Sequence, residues 1–289
     1  MEWKTISATA LGKSHEALGS PCQDFVAHSD VPVANIVIGV LADGAGSALH
    51  SEIGAQLAVT TSLNFLSANV INAIPTGEEQ TKLLFESLVS AVRNHLKEYA
   101  DKNQIRLRDL ACTLIAFAAS PCRLIAMQIG DGFVVARLDG NPNYEQLFTP
   151  EKGEYFNETA FVTENDALKS LKIYHHTGEI AFICLSSDGL EPVAIFRKDM
   201  QPSSQFFSAL EKSFRESPDL KLGIRELKEW LESPNLSQRV DDDKSMLLCI
   251  RSTKESEQQC QVSEIESKAA NEQQISDVPI GQEGDGTAS

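Results

Sequence analysis

The chain has 289 residues, of which 42% are hydrophobic and 23% charged, as in a soluble globular protein of one or two domains. It carries 25 Lys and Arg against 41 Asp and Glu, and the formal net charge of -16 disfavours nucleic acid and anionic membrane surfaces as partners. No apolar stretch is long enough to span a bilayer, the first residues lack the pattern of a signal peptide, and the six cysteines form no CxxC pair. We therefore expect a cytoplasmic protein with reduced thiols.

Hydrophobic patterning predicts strands and helices in alternating blocks. Short apolar or β-branched runs predict strands, with the weakest alternation in the first, at residues 3–8, 35–42, 111–119, 124–129, 133–138, 180–185 and 246–250. Helical spacing of apolar residues predicts helices at residues 52–66, 79–99, 203–214 and 221–231. Adjacent strands next to long paired helices favour an α+β fold over strict β-α-β winding.

Two segments lack such a pattern. Residues 149–177 show no clear period, and we interpret them as a long irregular insertion, which in a compact domain is usually functional or mobile. Residues 253–289 contain eight acidic residues, two lysines and no aromatic residue, so they cannot bury enough apolar surface to fold. The sequence predicts a domain over residues 1–252 and an acidic disordered tail over residues 253–289.

Acidic residues recur where predicted strands end or begin. Asp43, Asp131 and Asp188 each follow an apolar run and precede a glycine, and Asp242 and Asp243 stand just before the last strand. A carboxylate at a strand end is held by a rigid sheet, and oxygen-only ligands favour Mg²⁺ or Mn²⁺ over zinc. A single Asp-Gly pair is more often only a turn, so the spacing alone leaves a metal site and a set of turns both open.

Five short motifs resemble, in the same order, those of PPM-type (PP2C-like) serine/threonine protein phosphatases. They are DGAGS at residues 43–47, ACTL at 111–114, QIGDG at 128–132, SDGL at 187–190 and DDKS at 242–245. Three more segments resemble a divergent bacterial subgroup: GKSH at 12–15, PCQD at 21–24 and GEYFNET at 153–159. The resemblance implies a four-layer αββα sandwich, with two central, mainly antiparallel β-sheets flanked by helix pairs.

The resemblance also implies a centre of two Mn²⁺ or Mg²⁺ ions, with a weaker third ion. Carried over position by position, Asp43 bridges the two ions and the carbonyl of Gly44 completes the second site. The other implied ligands are Asp188 and Asp242 for the first ion, Asp24 mostly through water, and Asp131 for the third ion. Asp43, Asp188 and Asp242 are the implied catalytic set.

The sequence departs from the family pattern at three positions. Gln23 replaces a glutamate, which removes a charge and predicts weaker binding of the second ion or reliance on water. The family's phosphate-binding arginine falls on Gly19, and His15 or Lys13 could donate to a phosphoryl oxygen instead. Ala45 replaces a histidine of some relatives, which leaves the general acid unassigned.

The last motif aligns in two ways. If Ser245 matches the family's Ser or Thr, the ligand is Asp242, whereas a shift of one residue makes it Asp243. Because side chains alternate along a strand, only one of the two can face the ions, and we favour Asp242.

The resemblance implies a monomeric phosphatase for phosphoserine and phosphothreonine in proteins, working against bacterial-type Ser/Thr kinases or their substrates. Water activated between two cations can attack phosphorus in line, so we expect a single displacement without a phospho-enzyme. Two alternatives stay open. Gln23 and the missing arginine motivate a catalytically weak, phosphatase-like module that binds a phosphoprotein, and the substrate could instead be a small phosphorylated metabolite.

Overall fold

The structure, a computed structural model, describes residues 3–148, 159–196 and 198–251, without the side chain of Val33. No helix within these ranges is long and apolar enough to cross a membrane. The acidic tail at residues 253–289 and most of the GEYFNET segment lie outside the described residues. The tail and the domain boundary therefore stay predictions.

Two five-stranded antiparallel sheets form the centre of the described fold. The first sheet has the order β1-β12-β9-β6-β7, the second β2-β3-β4-β5-β8, and β10 pairs with β11 alone. The strands are β1 (Trp3–Ala10), β2 (Phe25–Val31), β3 (Ile36–Ala42), β4 (Leu114–Ser120), β5 (Arg123–Ile129), β6 (Phe133–Leu138), β7 (Glu145–Gln146), β8 (Lys172–Thr177), β9 (Ile180–Ser186), β10 (Ile195–Phe196), β11 (Gln201–Pro202) and β12 (Lys244–Arg251).

The described residues form seven helices: α1 (Lys13–Leu18), α2 (Ser51–Asn69), α3 (Glu78–Asn103), α4 (Glu191–Ala194), α5 (Ser204–Glu216), α6 (Leu220–Leu231) and α7 (Pro234–Ser237). Of these, α2 and α3 cover the outer face of the second sheet, and α5 and α6 cover that of the first. Single 3₁₀ turns lie at Pro32–Ala34, Leu107–Leu110, Ala167–Lys169 and Asp188–Leu190. The N-termini of α5 and α6 are capped by Ser203 and Asp219, whose side chains accept hydrogen bonds from backbone N–H groups of the first turn.

Three apolar cores hold the layers together. α2 and α3 pack on the second sheet in a core that includes Phe85, Leu88, Val92 and Leu96. α5 and α6 pack on the first sheet in a core that includes Phe207, Phe214, Leu227 and Leu231. The sheets pack on each other through residues such as Val37, Phe117 and Leu247. These layers confirm the predicted αββα sandwich.

Strand register brings the acidic motifs to one edge. Phe25 pairs with Ala42, so the segments that carry Asp24 and Asp43 are neighbours in the second sheet. Ser186 pairs with both Phe133 and Met246, so the segments leading into β6, out of β9 and into β12 meet in the first sheet. The two sheets therefore present their acid-bearing ends to a common region.

The irregular insertion predicted at residues 149–177 is wrong in its last part, because Lys172–Thr177 forms β8. β8 and β2 are both edge strands whose side chains are mostly half-buried, so neither shows the continuous apolar run of the central strands. The sequence prediction also missed α1, which is six residues long and buries none of its side chains. Helical spacing is visible only where a helix packs one face on a core.

Candidate metal centre

The turn after β3 is fixed by backbone hydrogen bonds on both sides. The N–H of Asp43 donates to Thr113 Oγ1 at 2.9 Å, and the N–H of Thr113 donates to the carbonyl of Asp43 at 2.8 Å. The N–H of Gly44 donates to the carbonyl of Gln23 at 3.1 Å. A β-carbon at Gly44 would lie 2.8 Å from that same carbonyl oxygen, so only glycine allows this close approach.

Asp24 connects the second sheet to the first. Its Oδ2 accepts a hydrogen bond from Ser187 Oγ at 2.8 Å, and Ser187 precedes Asp188 in the chain. Ser187 Oγ in turn accepts from the N–H of Ser245 at 3.1 Å, three residues after Asp242. The hydroxyl of Ser187 therefore links the three segments that carry Asp24, Asp188 and Asp242.

Asp131 lies in the turn between β5 and β6. The amide of Gln128 donates to the carbonyls of Gly130 and Gly132 on either side of Asp131, which fixes the backbone of the turn. The Asp131 side chain itself is exposed. The hydroxyl of Thr159 donates to its Oδ2.

We call these five side chains the acidic cluster: Asp24, Asp43, Asp131, Asp188 and Asp242. Burial raises the pKa of Asp43 well above its usual range, and the carboxylates of the other four raise it further. Burial is also the main cause that raises the pKa of Asp24 to about 7 and that of Asp188 to about 6. The acidic cluster is thus a set of carboxylates that repel one another in a partly dehydrated space, which a cation would relieve.

The two candidate acids of the last motif have different environments. Asp243 is buried and accepts hydrogen bonds from the N–H groups of Gly12 at 2.6 Å and Gln23 at 2.7 Å. Asp242 is exposed, and its Oδ1 accepts only the N–H of Asp243, at 2.8 Å, among the described contacts. The charge of Asp243 raises the pKa of Asp24. The carboxylate of Asp243 itself, however, already binds the backbone N–H groups of Gly12 and Gln23. This geometry favours Asp242 as the ligand.

The proposed phosphate-binding residues lie on α1, next to the acidic cluster. His15 Nδ1 lies 2.9 Å from Asp243 Oδ2, and His15, Asp242 and Asp243 each have a ligand atom within 4.8 Å of the others. Lys13 is exposed on the same helix. Gly19, at the position of the family's arginine, ends α1 with a φ of 65°, a left-handed conformation that glycine adopts more readily than residues with a β-carbon.

Two buried oxygen atoms at this site lack a hydrogen-bond donor within the described ranges, as expected for atoms that bind a cation. Among the described residues, Gln23 Oε1 and Asp24 Oδ1 are buried without a hydrogen-bond partner, and the two residues are only 9% and 5% exposed. A buried acceptor without a donor is costly, and a divalent cation is a ligand that satisfies such oxygens. The donor set of carboxylate and amide oxygens fits Mg²⁺ or Mn²⁺.

Sequence reasoning found the acids but not the residues that hold them. Thr113 and Ser187 occur in the quoted motifs without an assigned role, and the buried position of Asp243 was not foreseen. Their partners lie 58 to 231 positions away along the chain. The sequence offered one sign of such a residue: Thr113 is polar although the residues around it at the start of the strand are apolar.

Comparison with known proteins agrees with this architecture. A model of the protein phosphatase 2C family matches residues 11–232, which is more than half of the chain. The chain therefore belongs to the protein phosphatase 2C family, and it is a PP2C-type serine/threonine phosphatase, as its motifs predicted. Over 262 residues it is 32% identical to serine/threonine-protein phosphatase 3 of Escherichia coli (strain K12), covering 86% of this chain and 99% of that relative.

Solved structures share the fold at low sequence identity. The serine/threonine phosphatase of S. agalactiae superposes with a TM-score of 0.59 at 14% identity, covering 86% of this chain and 100% of that one. The catalytic domain of the phosphatase PstP, solved in complex with two manganese ions, superposes with a TM-score of 0.54 at 16% identity, covering 86% of this chain and 97% of that one. At these identities the likeness concerns the fold.

Proposed function

We propose that this chain hydrolyses phosphoserine and phosphothreonine in proteins with the help of two Mn²⁺ or Mg²⁺ ions. The observation that carries the proposal is the convergence of five carboxylates, of which Asp24 has a buried oxygen, like that of neighbouring Gln23, with no hydrogen-bond partner among the described residues. The manganese ions of the PstP structure and the name of the E. coli relative support the same assignment.

Each ligand has a distinct place in this proposal. Asp43 lies at the centre of the electrostatic interactions and would bridge the ions, with the Gly44 carbonyl beside it. The remaining ligands are Asp188 and Asp242 for the first ion, Asp24 mostly through water, and Asp131 for a weaker third ion. The hydrogen bonds that Thr113 and Ser187 make fix Asp43 and Asp24 before any ion binds, so little ordering is needed on binding.

The cations, when bound, supply Lewis-acid activation of water and neutralise charge on the phosphoryl oxygens. The residues of the chain position the substrate and donate hydrogen bonds to it. Asp243 holds the His15 ring next to the acidic cluster, so His15 can donate to a phosphoryl oxygen, as can the ammonium of Lys13 on the exposed face of α1. No side-chain nucleophile is required, which agrees with the expected single displacement.

The partners we propose are phosphorylated proteins, including the substrates of a bacterial-type Ser/Thr kinase or that kinase itself. The protein would act as a monomer in the cytoplasm. A peptide substrate suits a site at the exposed edge of the two sheets, where Lys13, Asp131 and Asp242 are exposed. Small phosphorylated metabolites are the comparison substrates in the test below.

The test is hydrolysis of p-nitrophenyl phosphate, of phosphoserine and phosphothreonine peptides and of sugar phosphates in EDTA, Mg²⁺ or Mn²⁺. We expect turnover that needs the cation and that Asp43→Ala lowers by roughly two orders of magnitude or more, because cation-assisted charge stabilisation amounts to several kcal/mol. The control is Asp166→Ala, which removes an exposed carboxylate that, within the described ranges, pairs with Lys169 alone, at 3.7 Å. Full activity of Asp43→Ala would contradict the proposal.

The same experiment separates the alternatives. No turnover by folded wild-type protein with cation present would favour the phosphoprotein-binding module. Faster turnover of sugar phosphates than of phosphopeptides would favour a metabolite phosphatase.

A further inference from the structure

Thr159 is the last residue of the GEYFNET segment and the one residue of that segment that the structure describes. Its hydroxyl donates a hydrogen bond to Oδ2 of Asp131, 28 positions earlier in the chain. The contact joins the end of the GEYFNET motif to an acid of the candidate metal centre. Neither the motif resemblance nor the proposed ligand set gives Thr159 a role.

The backbone that carries Thr159 is anchored close to the site. The N–H of Val162 donates to the carbonyl of Cys112 at 2.9 Å, one residue before Thr113, which holds Asp43. The guanidinium of Arg93, on α3, donates to the carbonyl of Val162 at 2.8 Å and to that of Glu164. Val162 itself is fully buried. The Thr159 hydroxyl is therefore presented three residues from a fixed point.

The other partner, Asp131, has a fixed backbone and an exposed side chain. The Gln128 amide holds the carbonyls on either side of Asp131, so the direction of the carboxylate depends on rotation of the Asp131 side chain. A hydrogen bond to one carboxylate oxygen restrains that rotation and leaves lone pairs on the other oxygen for a cation. Groups that orient a metal ligand in this way commonly change metal affinity by about 10- to 100-fold when they are removed.

We propose that Thr159 is a positioning residue that orients the Asp131 carboxylate for its cation, the weakest of the set. The inference rests on the proposed function, because it assumes that Asp131 is a ligand. It gives the end of the GEYFNET motif a physical role: the hydroxyl sets how readily the weakest cation site fills.

The test is calorimetric titration of cation-free protein with Mn²⁺. Thr159→Val keeps the shape of the side chain and removes the hydroxyl, and we expect it to weaken the weakest Mn²⁺ site about tenfold while the tighter sites stay unchanged. Thr159→Ser keeps the hydroxyl and should bind within about threefold of wild type. Thermal unfolding of the variants in EDTA checks that the fold is intact.

Asp131→Ala supplies the matched control, since it should abolish the same site, and adding Thr159→Val to it should cause no further change. Wild-type affinities in Thr159→Val, or an equal loss in Thr159→Ser, would overturn the positioning role. Failure of wild-type protein to bind any Mn²⁺ would instead overturn the proposed function and this inference with it, so the two failures are distinguishable.

Discussion

Gln23 differs from the acids around it in being neutral. Its backbone is held on both sides, because its N–H donates to Asp243 and its carbonyl accepts from Gly44. Its side-chain oxygen is buried without a hydrogen-bond partner among the described residues. The amide oxygen is therefore available to a cation of the proposed centre as a weak ligand, where a carboxylate would add one negative charge.

The charge at this position can be restored by Gln23→Glu. We expect the variant to bind Mn²⁺ about tenfold more tightly, because a carboxylate attracts the cation more strongly than an amide. Gln23→Leu, which keeps the bulk but removes the oxygen, should weaken binding. Calorimetric titration of the three proteins decides the matter, and equal affinities for all three would show that Gln23 is not a ligand.

For single residues, the sequence predicts which ones are acidic and close to a strand end, since both are local properties. It does not predict which carboxylate already accepts hydrogen bonds from the backbone and is therefore not free to bind a cation. Asp242 and Asp243 are adjacent and identical in type, and only the N–H groups of Gly12 and Gln23, more than 200 positions away, make one of them structural. Contacts of this kind depend on the folded chain.

Among the elements, α1 brings His15 close to Asp242 of the acidic cluster, although the helix buries no side chain. Its position is fixed by hydrogen bonds from Gly12 to Asp243 and from Ser14 to the carbonyl of Asp241, at 2.6 and 3.0 Å. The helix is thus held by the loop that carries Asp242. Its last turn is closed by Gly19 in the left-handed conformation.

Gly19 ends α1 in a left-handed backbone conformation that favours glycine. Gly19→Arg should lower the free energy of unfolding by about 1 kcal/mol, because a side chain at positive φ is strained. Gln104→Arg is the matched control, since Gln104 ends α3 at a φ of 55° and already carries a long side chain there, so the change adds no backbone strain. Urea unfolding of both variants measures the difference, and a Gly19→Arg variant that loses no more stability than Gln104→Arg would contradict this expectation.

The central strands and long helices were predictable because each has a clear side-chain period. β3, β9 and β12 are buried along their whole length between a second sheet and a helix layer, which produces continuous apolar runs. β2, β8 and α1 were not predictable, since each is half-exposed or fully exposed and held mainly by backbone hydrogen bonds. The αββα arrangement followed from the motif resemblance, and the strand pattern was only compatible with it.

For the whole molecule, the acidic cluster makes stability depend on pH when no cation is present. The pKa of Asp24 is raised to about 7 and that of Asp188 to about 6, mainly by burial, whereas an unfolded aspartate has a pKa near 4. Between about pH 4 and pH 7 the folded protein therefore binds more protons than the unfolded chain. The free energy of unfolding should fall as pH rises through this window.

This slope is measured by urea unfolding in EDTA at pH 5 and pH 7.5, beside Asp24→Asn. We expect wild-type protein to lose roughly 3 kcal/mol relative to Asp24→Asn over this interval, and Mn²⁺ to remove the loss. His28, whose pKa burial lowers, contributes the opposite slope but is common to both proteins. If the free energies of unfolding of the two proteins differ by the same amount at both pH values, the raised pKa of Asp24 is contradicted.

The most direct test of whether the acidic cluster binds two metal ions is a crystal structure of the protein grown with Mn²⁺. Anomalous diffraction recorded at the manganese edge would locate the ions. We expect two strong anomalous peaks on either side of the Asp43 carboxylate, one shared with Asp188 and Asp242 and the other with the Gly44 carbonyl. A well-ordered structure with no anomalous peak at Asp43 would contradict the account.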